Sequence, residues 1–210
     1  PGIRGALRME LDFISCLAPT HYFDRQFNCD AVKILPGEYF VTQRELVIVT
    51  VLGSCVSVCL RDRANGIGGM NHFMLPGNHD GGLSPISASA RYGVYAMELL
   101  INHLLKLGAR RSDFEAKVFG GGSVLRGMTA NNVGERNAEF VREYLATENI
   151  QIAAQDLLDI YPRKVYYFPS TGRVLVKKLK SQHNTTVLDR EMEYSMRIKR
   201  VPVAGEIDLF

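Results

Sequence analysis

An α+β fold is predicted by three features of this sequence. Short β-branched runs cluster in the first and last thirds, two long helical patterns are separated by a single strand, and the regular strand–helix alternation of a nucleotide-binding sheet is missing.

The elements follow in chain order. Residues 1–30 combine Pro19 and scattered aromatics with no sustained period, and are read as an N-terminal extension, against the domain or partly disordered. The domain proper is placed at residues 31–210. Pro1 is no translation start, so the first residues are expected to be partly non-native, with Met9 a candidate start. Two arginines with no apolar run behind them do not make a secretory signal. From Ala31 a strand-like piece leads to a turn at Pro36 and Gly37, and another strand covers 39–42. LVIVTVL at 46–52 is the kind of run that fills a buried strand. Gly53 and Ser54 break it. Val56, Val58 and Leu60 then alternate with Ser57, Cys59 and Arg61, a period of two that predicts a half-buried strand. Asp62 to Gly66 (DRANG) supplies turn chemistry, and 67–75 return as the partner strand.

The polar, glycine-rich stretch 78–85 reads as a surface loop, with His79 and Asp80 solvated. The clearest helix spans 87–107, capped by Ser87 or Ser89, with Tyr92, Tyr95, Ala96, Leu99, His103 and Leu104 as its apolar stripe. His103 is read as a packed core histidine, and Gly108 as the left-handed residue that ends the helix. A strand at 114–119 runs into Gly120, Gly121, Gly122 and Ser123. That run lacks the GKS/T of a phosphate loop, so a tight turn or close backbone packing is the better reading. A second amphipathic helix at 132–147 carries Ala138, Val141, Tyr144 and Leu145. Strands 164–168 and 173–179 form a hairpin, and strands at 193–201 and 206–210 complete the tail. The cluster Arg197, Lys199 and Arg200 is read as a solvated strand face.

Composition narrows the function classes. A net charge of +3 lacks the concentrated basic footprint of a nucleic-acid binder. No segment approaches the roughly 18 apolar residues that cross a bilayer, so membrane insertion is not expected. The cysteines are Cys16, Cys29, Cys55 and Cys59, without a CxxC pair or zinc-ligand spacing. Free thiols in a reducing cytoplasm are the simplest reading.

Cys55 stands out because it follows a buried strand at a Gly-Ser break. A sharp bend there can expose a side chain, and the N–H groups around Gly53 and Ser54 can receive an oxyanion. A small buried hydrophobe is the competing reading, and Cys59, on the same face, is read that way. His72 supports a chemical role. If the hairpin turn centres between Arg63 and Ala64, His72 lies directly opposite Cys55, with Cβ atoms about 4.5–5.5 Å apart. Thiol and imidazole could then form an ion pair. A helix starting at Cys55 would be another way to lower the thiol pKa. Thr50 is the nearest upstream hydroxyl to orient the imidazole, with Ser54 and Ser57 as alternatives.

These residues also carry a resemblance. LGSCVSVCLRD (52–62) and GIGGMNHFMLPG (66–77) resemble the signature of the CheD family of chemoreceptor glutamine deamidases. The likeness continues through KVFGGGSVL (117–125), NVGERN (132–137), PRKVYYFPSTGRVLVKKL (162–179) and GEIDLF (205–210). It implies an α/β/β/α layered sandwich akin to the cysteine-hydrolase fold of the cytotoxic necrotising factor toxins. It also implies a Cys-His-Thr triad mapping onto Cys55, His72 and Thr50, and deamidation through a thioester without metal or organic cofactor. Methyl-ester hydrolysis is an implied side activity. The implied partners are the cytoplasmic helices of methyl-accepting chemotaxis receptors and a CheC-type CheY-phosphate phosphatase. One departure is noted: many relatives have Gly-Gly where this chain has Leu158 and Asp159. The rival readings are a docking module on the same scaffold, and a peptidase or transglutaminase using the same thiol.

Overall fold

The computed structural model describes residues 19–76, 85–124, 133–180 and 185–200. Two five-stranded mixed sheets lie face to face. The first has the order β1 (Thr20–Asp24), β2 (Cys29–Lys33), β4 (Val47–Leu52), β9 (Arg163–Phe168), β10 (Arg173–Lys178). The second has the order β3 (Tyr39–Thr42), β6 (Ile67–Asn71), β5 (Val56–Asp62), β7 (Phe114–Gly120), β8 (Gln151–Leu157). Each sheet has one parallel pair, β2 with β4 and β7 with β8; the rest are antiparallel. Three α-helices are described: α1 (Pro85–Lys106), α2 (Val133–Thr147) and α3 (Thr185–Arg200). The fold is α+β, as the sequence predicts, and α1 and α2 on the second sheet, followed by the first sheet, supply helix, sheet and sheet layers.

This layering explains why β5 is buried on both faces. Val56, Val58 and Leu60 pack under the helices with Met97, Leu100, Leu104 and Val141, while Cys55 and Cys59 face the first sheet with Ile48, Met70, Val165 and Tyr167. The alternation in the sequence is real, but its second face meets another sheet rather than water.

Several elements differ from the sequence reading. β1 and the start of β2 fall within the stretch read as an extension; four of the five β1 residues are exposed, so no burial alternation marks it. β8 is an edge strand with little buried surface and goes unread for the same reason. Residues 193–200 are helical rather than extended: Val187, Glu191, Tyr194 and Ile198 recur at helical spacing and turn inward, while Arg197 is exposed. His103 is exposed, edge-on to Tyr39 at 5.8 Å, and Tyr95 is also exposed. The buried face of α1 is instead Ser89, Gly93, Met97, Leu100, Ile101 and Leu104. Leu99, Leu100, Ile101, Leu104 and Leu105 make α1 apolar over a wide arc, so its packing partners choose the inward face. The helix starts at Pro85, before the serines expected to cap it; Gly108 has φ 96° and ends it as expected. The readings of Cys16, His79, Asp80 and the strand at 206–210 lie outside the described residues.

Candidate active site

The site forms where β4 leaves the first sheet and β5 enters the second. The peptide carbonyls of the intervening bend are each held from outside. Gly122 N–H donates to Gly53 O at 2.7 Å, Asn137 Nδ2 to Ser54 O at 2.8 Å, and Gly121 N–H to Cys55 O at 2.8 Å. With the carbonyls turned outward, the N–H groups of Gly53, Ser54 and Cys55 converge on one point. The glycine run is thus a buttress. Gly120 has φ 113°, and a Cβ there would lie 2.2 Å from Cys55 O, so only glycine fits. Asn137, fully buried, also accepts from Leu75 N–H at 2.8 Å, which ties the bend to the segment after His72. Sequence reasoning assigned Asn137 no role, although it lies in one of the family-like blocks.

Cys55 and His72 are brought together, but not as direct opposites. β5 and β6 pair Cys59 with Met70 and Leu60 with Gly69, and an isolated bridge joins Val56 to Phe73. This register differs by two residues from the expected one, because the loop closes over 63–66 with Gly66 at φ 67°. An even shift keeps every side chain on its face, so His72 becomes the diagonal neighbour of Cys55 instead of leaving the site. β5 begins at Val56, and no helix starts at Cys55.

Thr50 Oγ1 lies 2.7 Å from His72 Nδ1 and 2.9 Å from Ile34 O. The single hydroxyl proton must serve the carbonyl, which has none to offer, so Thr50 accepts from the imidazole. His72 therefore carries its proton on Nδ1. Nε2, buried and without a hydrogen-bond partner among the described residues, is left as a free lone pair. Ser57 donates instead to Asn71 O, and Ser54 Oγ to Glu191, so neither alternative hydroxyl orients the ring.

The group at the centre of the bend is Glu191 of α3, which the sequence reading missed because it placed a strand from 193 and left Glu191 outside any element. Oε1 accepts from Gly53 N–H at 2.8 Å and Cys55 N–H at 3.0 Å; Oε2 accepts from Ser54 N–H at 2.8 Å and Ser54 Oγ at 2.7 Å. Ligating atoms of Cys55, His72 and Glu191 lie within 4.8 Å of one another. They offer a metal little: both carboxylate oxygens are engaged by N–H and O–H donors, which leaves His72 Nε2 as the one open lone pair on a carboxylate or imidazole among these groups. The arrangement suits an anion.

Burial sets the protonation states. His72 is pushed down to about 3 by desolvation, and Cys55 is pushed well up by desolvation and then by the Glu191 charge. The resting pair is thus neutral thiol and neutral imidazole, not the ion pair expected from the sequence. Cys59 is buried between the sheets with its thiol pushed up by desolvation, as a packing residue would be. Cys29, Cys55 and Cys59 are all free thiols.

Leu158 and Asp159 keep a glycine-like backbone, with φ of 68° and 75°. Leu158 N–H donates to Gly120 O at 2.8 Å, Ser123 N–H to Asp159 O at 2.7 Å, and the buried guanidinium of Arg163 to Leu158 O. These bonds hold two non-glycine residues in a region that costs an L-residue about 1–2 kcal/mol each.

Comparison with known proteins shows the family. Residues 74–178 match the family described as CheD chemotactic sensory transduction. A "Probable chemoreceptor glutamine deamidase CheD" of Methylobacillus flagellatus is 65% identical over 195 residues, 92% of this chain and 96% of that protein. One from Thiobacillus denitrificans, of the same name, is 64% identical with the same coverage. A "Probable chemoreceptor glutamine deamidase CheD 1" of Shewanella oneidensis is 62% identical over 91% of this chain and 93% of its own.

Proposed function

This chain belongs to the CheD family, and from that premise we propose that it is a protein-glutamine glutaminase which hydrolyses glutamine side chains of methyl-accepting chemotaxis receptors to glutamate. The observation that carries the chemistry is the Thr50–His72 contact, which fixes the imidazole proton on Nδ1 and leaves Nε2 as a base among buried groups that include the Cys55 thiol.

In this reading Cys55 Sγ attacks the side-chain carbonyl as His72 Nε2 takes the thiol proton. The oxygen that becomes negative is received by the N–H groups of Gly53, Ser54 and Cys55. His72 returns the proton to the departing ammonia. Water, deprotonated by the same nitrogen, then splits the thioester to leave glutamate and the thiol. None of these steps calls for a metal or organic cofactor. A methyl ester at the same receptor position would react through the same acyl-enzyme, giving a methylesterase side activity.

Substrate and enzyme would meet in the cytoplasm, where receptor signalling helices lie. Among the described residues no helix is long and apolar enough to cross a membrane. A CheC-type CheY-phosphate phosphatase would dock on the same face and compete with receptor. The domain is taken to span 31–210, with residues 1–30 as its extension.

Ammonia release from free glutamine, an unstructured glutamine peptide and a folded receptor fragment tests the reading. Efficiency on the receptor fragment should exceed that on free glutamine by orders of magnitude, because remote contacts position the amide. Equal efficiency on all three would point to a small-molecule glutaminase.

A further inference from the structure

The oxyanion site of this enzyme is already full. Glu191 is 2% exposed, and its carboxylate takes every N–H of the 53–55 bend together with the Ser54 hydroxyl. Cys55 is 0% exposed. The occupant is a glutamate side chain carried on a helix, which is the chemical product of deamidating a helical glutamine.

The seat of α3 is specific. Tyr194, one turn after Glu191, is buried, pairs its hydroxyl with that of Tyr92 on α1, and lies against Gly37. Arg197 reaches Pro36 O at 3.4 Å. Val187, Arg190 and Glu191 line a recess completed by Lys33, Ile34, Leu35, Pro36, Val51 and His72. A helix is thus laid along the β2–β3 connection with one side chain inserted at the nucleophile.

We infer that α3 is an internal product mimic: Glu191 holds the site in a closed, self-inhibited state, and α3 occupies the track on which a receptor helix presents its glutamine. This rests on the deamidase reading above and adds to it the path of the substrate helix. Oε1, which accepts from Gly53 and Cys55, stands where a carboxamide oxygen would sit. A receptor helix must displace α3 before reaction, which frees three N–H donors and removes a negative charge beside the thiol.

The variant Glu191→Gln then becomes a substrate in cis. Cys55 Sγ would bond to the side-chain amide carbon introduced at position 191, the C–N bond would break, and ammonia would leave with the proton that His72 took from the thiol. Hydrolysis would then restore the thiol and leave glutamate at that position, a gain of about one dalton from exchanging NH₂ for OH. Peptide mass spectrometry of Glu191→Gln is expected to find glutamate at position 191, and of Glu191→Gln with Cys55→Ala to find glutamine. Separately, Glu191→Ala is expected to raise kcat/KM on a receptor fragment about ten-fold or more, by removing a competitor for the reactive state. It should also speed alkylation of Cys55 by iodoacetamide. The inference is overturned if the wild-type chain deamidates receptor while the Glu191→Gln variant, with Cys55 intact, keeps its glutamine. It is overturned equally if Glu191→Ala lowers receptor turnover in a folded protein, which would make Glu191 a support of the bend. Failure of the deamidase reading looks different: no receptor deamidation by wild type or Glu191→Ala.

Discussion

Replacing Thr50 by valine isolates the contact that sets the histidine tautomer. Thr50 is fully buried between Ile34 O and His72 Nδ1, and valine keeps its shape while exchanging hydroxyl for methyl. Two buried polar groups then lose their partner. At about 1–3 kcal/mol for each unsatisfied group, stability should fall by roughly 2–6 kcal/mol. The imidazole can recover part of this by moving its proton to Nε2. That places a donor where the base is required, so receptor deamidation should fall by about 10²-fold, within the usual range for general-base catalysis. Thr50→Ser restores the hydroxyl and should recover most of the rate. The assay is ammonia release from a receptor fragment across pH, at a temperature where circular dichroism finds all variants folded. Wild-type turnover by folded Thr50→Val, or a serine variant no better than valine, would refute the orienting role.

Burial of neutral His72 should also appear in the pH dependence of stability. Its pKa is about 3 in the fold against about 6.5 unfolded, so the unfolded chain binds the extra proton. Stability is then fully present above pH 6.5 and declines as pH falls towards 3, at about 1.4 kcal/mol per pH unit. His72→Gln should lose that component of the slope between pH 7 and 5 in urea titrations; identical slopes would contradict the assignment. Gly120→Ala should destabilise by more than about 3 kcal/mol and abolish turnover, since the new methyl meets Cys55 O with no flexible atom to yield. Gly108→Ala, with φ 96° but open space, should cost only about 1–2 kcal/mol when both variants are compared by thermal melts, and comparable losses would refute the buttress role.

Much of the fold was legible where burial imprints a period. β3, β5, β7 and the β9–β10 hairpin, helix α2, and β4 with its unbroken β-branched run fall close to their expected places because burial leaves a mark on their sequences. β1 and β8 are edge strands exposed along most of their length, and leave no such imprint. The tail misled because its inward face includes a carboxylate. Glu191 counts as polar in any hydrophobic pattern, yet it is buried through four hydrogen bonds from the 53–55 bend. Read as an inward residue with Val187, Tyr194 and Ile198, it completes a helical stripe.

The site was legible in a similar, partial way. The Gly-Ser break and the return strand located Cys55 and His72, but the length of the intervening loop decides the register. That came out two residues from expectation, harmless only because the shift is even. Thr50 could be named as the nearest upstream hydroxyl, while its selection over Ser54 and Ser57 required knowing where each hydroxyl proton goes. The glycine run was read as a tight turn or close backbone packing, and it does pack closely on the bend, but that its partner is the Cys55 segment, and that Asn137 holds Ser54 O, is fixed by the fold and not by local sequence.

The central claim is that Cys55 deamidates receptor glutamine, and intact-mass spectrometry of a receptor fragment incubated with wild type and with Cys55→Ser tests it most directly. Wild type should add about one dalton at each modified glutamine, and the folded serine variant should add none over the same period. Equal mass gain with both proteins would contradict the claim.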